Sequence, residues 1–271
     1  MEKPKALGRW QDAPLAYLVA EIKFQRPHDF ESGLPKLVKQ LTEDFPLEES
    51  TAVEATFEPG KPPMMEPVRD FKNFASNMGV RLTKTSFALH CTDYAGWDAG
   101  LEQQWLKLIS HLSEAMEPRV MLRSSLRLID LLVPEESGQL PEDVLVQSLR
   151  PWTGGGDSLG EIEQANSATR FKNGPYAATL VVLSRIKAQM VLPPSVNAMS
   201  LALSKIQQKA LNYHTQTNGA FALLDFDMVH DAPKPFDVAE LKAQFTELHR
   251  LGSSAFQAAT TAEAQRRWGK P

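Results

Sequence analysis

The chain has little of what announces a function. Its 271 residues include one cysteine, Cys91, so no intramolecular disulfide can form, and a reducing compartment fits. No stretch is long and apolar enough for a membrane span, and Met1 to Gln11 carries lysines with no apolar run behind them. The expectation is a soluble, cytoplasmic protein without a membrane partner. An excess of positive charge is missing too. With 29 Lys and Arg against 33 Asp and Glu, a net charge of -4 and a pI near 5.9, nothing draws the surface toward phosphate or anionic lipid. Nucleic acid is therefore not the expected partner.

Chemical motifs are equally scarce. The six histidines are scattered, with no pair four residues apart and no His-Glu-x-x-His, so zinc chemistry has no handle. Gly154-Gly-Gly156-Asp-Ser-Leu-Gly160 lacks both the Gly-Lys-Ser/Thr of a phosphate loop and the glycine spacing of a dinucleotide site, and reads as a mobile loop. Neither Ser184 nor Ser195 lies in a Gly-x-Ser-x-Gly elbow, and Cys91, alternating with Leu89, reads as a small core residue. No cofactor is implied.

What is present is material for a core. The chain is 42% hydrophobic and 8% aromatic, enough for one large domain or two small ones. Leu18, Ala20, Ile22 and Phe24 alternate with Tyr17, Val19, Glu21 and Lys23, which predicts a half-buried strand. Phe30 to Phe45 has helical spacing, with Pro35 tolerable only if regular helix begins about there, and Pro46 stops it. A short strand follows at Thr51 to Phe57, and the proline-rich Glu58 to Pro67 reads as a loop. Two strands, roughly Asp70 to Asn77 and Val80 to Cys91, are expected around a Met78-Gly79 hairpin. Leu101, Trp105, Leu108, Ile109, Leu112 and Met116 then mark one face of a helix closed by Pro118.

Beyond it, Val120 to Val133 is strand-like, with Leu122, Leu126 and Leu128 on one face and Arg123 and Arg127 on the other. Pro134 to Gly160 is loop-rich around a short helix near Glu142 to Ser148. Strands follow at Ser167 to Phe171 and Ala177 to Met190 around an Asn173-Gly174 turn, then a helix at Asn197 to Leu211 and a strand at Phe221 to Val229. The last helix opens on Asp237-Val-Ala-Glu240, a start resembling a capping box, and is expected to fray near Gly252. The pattern predicts an α+β protein in which an antiparallel sheet packs against long amphipathic helices. Residues 1–133 and 161–271 would be two halves, possible pseudo-repeats joined by 134–160 in one compact unit, although their sequences do not visibly repeat.

These elements carry a pattern of short motifs. They are Ala13-Pro14-Leu15 leading into Glu21-Ile22-x-Phe24, Phe45-Pro46, Tyr94-x-x-Trp97, Arg123-x-x-Leu126-Arg127-x-Ile129-Asp130, Leu223-Leu224-Asp225-x-Asp227, and Leu248-His249 with Phe256. In this order, over nearly the whole chain, they resemble a sporadically distributed, functionally uncharacterised family of bacterial proteins of about this length. Two departures stand out. The strand after Arg127 lacks the family's aromatic and Asn, and Pro193 to Leu211 looks like an insertion. The resemblance implies no activity; a patchy distribution would suit an accessory gene.

Three places could carry chemistry. Arg123 and Arg127 share a strand face where Glu21 could pair with either, or where the arginines could gate an anion or small-molecule pocket lined by Phe24, Phe87, Trp105 and Leu126. Asp225 and Asp227 share another strand face, close enough to hold a divalent cation with His230 nearby; both clusters also fit ordinary surface pairing. Trp152, beside the glycine loop, could anchor a partner. The expected function is a non-enzymatic interaction protein whose partner is another protein, with a homodimer as a possible form. A ligand-binding module comes second and a metal-dependent enzyme last.

Overall fold

The computed structural model describes residues 12–56, 64–94, 96–135, 139–150, 164–186, 192 and 199–269. The chain is α+β. It runs β1 (Leu15–Phe24), α1 (Phe30–Asp44), β2 (Leu47–Thr56), β3 (Met64–Lys72), β4 (Met78–Leu82) and β5 (Ser86–Cys91), followed by a single π turn (Trp97–Leu101) and α2 (Glu102–Met116). After β6 (Val120–Leu132) come two short 3-10 turns (Pro141–Val144 and Gln147–Leu149), then β7 (Ala165–Asn173), β8 (Tyr176–Ile186) and α3 (Lys205–Thr217). β9 (Phe221–His230), β10 (Lys234–Pro235), α4 (Val238–Ala259) and α5 (Ala262–Arg267) complete the described elements.

A single sheet contains all the strands, in the order β2-β3-β4-β5-β1-β6-β9-β8-β7, with β10 on the end of β6. Every pairing is antiparallel. Period-two patterning sorts the side chains onto two faces. On one face, a row of Leu89, Ala20, Leu126, Met228 and Ala178 crosses from β5 to β8 in register. This row belongs to the main core, which α1, α2 and α4 cover. Trp105 of α2 is fully buried there, stacked 5.9 Å from Phe87 and edge-on to Phe245 of α4 at 5.3 Å. Burying a side chain of that size contributes about 2–3 kcal/mol.

The helices follow from their apolar spacing. α4 turns Leu241, Phe245 and Leu248 inward and leaves Lys242, Ala243 and Thr246 exposed. Its start is fixed as the sequence predicts, by the Asp237 carboxylate accepting from the Glu240 N–H at 2.7 Å. No fraying occurs at Gly252. The helix continues to Ala259, and the glycine lets it approach the sheet, since a Cβ there would meet Met228 Cε at 2.6 Å and Leu128 Cδ1 at 2.9 Å. On the opposite face, α3 packs Ala210, Ile206 and Leu211 over Tyr17, Ile129, Leu131, Phe221 and Leu223, forming a second, smaller core at one end of the sheet.

Several element boundaries differ from expectation. α1 begins at Phe30 and holds Pro35 inside the helix, where the ring leaves one carbonyl four residues back without its donor. β2 begins at Leu47, and β3, the second strand from the edge, includes Pro67 from the proline-rich stretch, paired with Val53 of β2. Met78-Gly79 lies in β4 and not in a turn; the chain reverses before it, where Ser76 takes φ +51, and again at Thr83 to Thr85. Thr83 makes the second reversal, its Oγ1 accepting from the Ser86 N–H at 2.9 Å. The helix placed at Asn197 to Leu211 starts only at Lys205, where Ser204 caps it by accepting from the Gln207 N–H at 3.2 Å.

Candidate functional site

The face of the sheet away from the main core carries Arg123, Arg127, Glu21, Asp225 and Asp227, because the odd-numbered positions of β1, of β9 and of β6 from Arg123 onward point there; a register shift beyond Lys23 returns Met121 to the main core. Across it the register sets His90, Val19, Arg127, Asp227 and Thr179 in one row, and Arg81, Ala88, Glu21, Ser125 and Val229 in the next. Alternation in the sequence puts Arg123 with Arg127 and Asp225 with Asp227 on one face of their own strands; the register brings both pairs and Glu21 to the same face of the sheet.

Their partners are one another. Arg127 makes a bidentate bridge to Asp225, with Nε donating to Oδ1 at 2.8 Å and Nη2 to Oδ2 at 2.6 Å. Asp225 is nearly buried, its side chain 8% exposed against 24% for Arg127. The bridge, chiefly its hydrogen bonds, holds the guanidinium pKa above its ordinary value. Arg123 reaches Asp227 more loosely, at 3.4 Å, and its buried Nε has no acceptor among the described residues. Burial raises the Asp227 pKa in spite of both arginines. Asp225 and Asp227 of β9 thus hold Arg127 and Arg123, and Glu21 accepts from Ser125 Oγ at 3.5 Å on the same face.

Two further pairs on this face escape a reading of the sequence. Arg81 bridges Asp70 with distances of 2.8 and 2.6 Å, and Tyr17 OH lies 3.1 Å from His90 Nδ1. Burial, then Arg81, lowers the His90 pKa to about 3, so the ring stays neutral. Burial likewise raises the phenol pKa of Tyr17. The odd–even alternation around Tyr17 and His90 marks their face, but only the β1–β5 register shows that they meet.

Two residues of the expected sites lie elsewhere. Trp105 is in the main core with Phe24, Phe87 and Leu126, all fully buried, so the arginines and that aromatic set are on opposite faces and cannot line one pocket. His230 occupies an even position of β9, is 1% exposed and sits edge-on to Tyr176 at 5.1 Å, on the face away from Asp225 and Asp227. Among the described residues, no three of His, Cys, Asp and Glu are grouped as a metal site would need. Trp152 lies outside the described residues.

No protein-family model and no curated protein matches the chain.

The described structure also forms a cleft of about 650 Å³ at the end of the central strands. Pro14, Leu15, Leu131 and Trp268 give it apolar walls, and Lys205, Lys209 and Arg267 bring cations to it. Lys209 is bridged to Glu135 at 3.1 Å and Arg267 to Glu263 at 2.7 Å. Tyr94 joins this cleft to an aromatic group: its hydroxyl lies 3.3 Å from His249 Nε2, and Trp97 stacks on that imidazole at 5.3 Å. His249, which its helical position marks as a boundary residue against the sheet, is thus held between two aromatic side chains. No helix among the described residues is long and apolar enough to cross a membrane.

Proposed function

We propose that this is a non-enzymatic, cytoplasmic interaction protein that binds another protein through the rim of its sheet. The observation that supports it is the condition of β7, a nine-residue strand at the end of the sheet whose residues from Asn166 to Asn173 are all exposed. Among the described residues no strand pairs with the outer edge of β7, and such an edge offers a row of backbone donors and acceptors, the usual template for a second chain. The groups from which chemistry would be drawn favour the same reading, since Arg127 and Asp225, Arg81 and Asp70, and Tyr17 and His90 engage each other.

Cross-linked capture from the native host, using the full chain, tests the reading. A stoichiometric protein partner is expected, lost with Phe171→Glu on β7 and retained with Lys39→Ala on the exposed side of α1. Capture of nothing, or capture indifferent to Phe171→Glu, would count against it.

A second reading, a small-molecule or anion-binding module, is favoured by the cleft, whose volume falls in the range of about 300–1,000 Å³ usual for ligand sites. Thermal-shift measurements with phosphate, nucleotides and short carboxylic acids test it. Stabilisation abolished jointly by Lys205→Ala and Arg267→Ala would support this reading.

A further inference from the structure

The β7–β8 hairpin fixes which backbone groups of β7 are open. Asn173 pairs with Tyr176 across the two-residue turn Gly174–Pro175. Gly174 stands at φ +57, and proline holds the next φ near -65°, the combination of a type II′ turn. A two-residue hairpin closes on a pair that exchanges both backbone hydrogen bonds, and such pairs alternate along an antiparallel ladder. Counting back from Asn173, Phe171, Thr169 and Ser167 bond to β8. Lys172, Arg170, Ala168 and Asn166 therefore turn their N–H and C=O groups away from the sheet.

The side chains give this open edge a chemical character. β7 contains two cations, Arg170 and Lys172, and no carboxylate. Both cations lie on the polar face, Arg170 in the row of Thr179 and Asp227. On the other face Phe171 is 49% exposed beside Ala178, at the margin of the helix layer. A strand laid along β7 would meet positive charge at alternate positions on one face and an aromatic ring on the other. Its complement alternates carboxylates with apolar residues. Cations on an edge also work against pairing of β7 with a second β7, because like charges brought into one small sheet repel.

Resting on the interaction reading above, we infer that the outer edge of β7 captures an extended, acidic–apolar alternating segment of a partner protein as an added strand. The backbone supplies the attachment, Arg170 and Lys172 select the charge, and Phe171 takes the apolar positions.

The probe is a short synthetic peptide alternating glutamate with valine and phenylalanine, compared with the same peptide carrying lysine for glutamate. With the full chain, the glutamate peptide should slow hydrogen exchange at the amides of Asn166, Ala168, Arg170 and Lys172. Ala168→Pro removes one outward N–H while leaving the β8 ladder whole, and should abolish binding at an unchanged Tm. Arg170→Glu with Lys172→Glu keeps the edge backbone, and should weaken the glutamate peptide about tenfold or more and favour the lysine peptide. Equal binding of the two peptides, protection elsewhere on the chain, or binding undiminished by Ala168→Pro overturns the inference. A dimer in sedimentation that Ala168→Pro dissolves overturns it in favour of a second copy. Should a host partner be captured equally by Ala168→Pro, the interaction reading stands and the β7 edge fails. If the peptide protects β7 but no host protein is captured, the edge stands and the interaction reading fails.

Discussion

Replacing Asp130 by asparagine should stabilise the protein at neutral pH and remove part of its pH dependence. Asp130 lies on the core side of β6, 5% exposed, paired in register with Leu15 and Leu224. Burial first, and the charge of Asp225 second, push its carboxyl pKa from 3.8 to about 8. The folded chain therefore keeps this proton through neutral pH, whereas the unfolded chain releases it near pH 4. Between those values the folded state binds more protons, so stability falls as pH rises, by about 1.4 kcal/mol per pH unit. Below pH 4 both states are protonated and the cost vanishes. At pH 7, roughly three units above the unfolded value, it reaches about 4 kcal/mol. Asparagine has nearly the same shape and does not titrate, so the wild type minus Asp130→Asn isolates this one group. Urea denaturation followed by tryptophan fluorescence at pH 5 and pH 7 measures the difference. It should change by about 3 kcal/mol between the two, with the variant the more stable at pH 7. A difference constant to within about 0.5 kcal/mol would show that Asp130 is ionised in the folded protein and refute the reasoning.

Other sites give equally definite expectations. Asp225→Ala removes the bidentate bridge to Arg127 and should cost about 2–3 kcal/mol, while Arg127→Met combined with Asp225→Leu should restore most of it; a double-mutant cycle in urea reads the coupling. Trp105→Ala removes the side chain wedged between Phe87 and Phe245 and should cost about 3–5 kcal/mol, with loss of near-ultraviolet circular dichroism in the folded baseline. His90, lowered to about 3 by burial, gives the opposite pH trend to Asp130: its contribution is complete above about pH 6.5 and is lost as pH falls toward 3. His90→Gln should flatten that acid limb in denaturation curves between pH 4 and 6.5.

Where local signals are strong, the fold is legible in the sequence. The Leu18 to Phe24 alternation, the Leu101 to Met116 stripe and the Asp237 cap all specify their elements, because each depends on side chains a few residues apart. The Met78 region misleads because a glycine beside a methionine imitates a turn, whereas the true reversal is at the Ser76 bend. Pro67 misleads because proline is a loop signal unless its missing donor is harmless where the strand places it. The polar face is half legible. Alternation puts Arg123, Arg127, Asp225 and Asp227 on strand faces, but nothing local says that β6 and β9 are neighbours. Arg127 thus finds Asp225 through a pairing of distant segments, as Tyr17 finds His90. The same lack of register information makes Trp105 and the arginines look like one pocket when a sheet separates them.

The central place of β1 and β6 bears on how the chain must assemble. β6 is synthesised before the connection, β7, β8 and α3, yet its second neighbour is β9, which follows all of them. During synthesis β6 therefore has an open side, with Leu126 and Leu128 awaiting Met228 and Phe226. Pairing segments so far apart in sequence raises contact order, which slows folding in general, and leaves that side of β6 uncovered until β9 arrives. The same arrangement makes two fragments divided after β6 natural complements, each supplying the strand that closes the other.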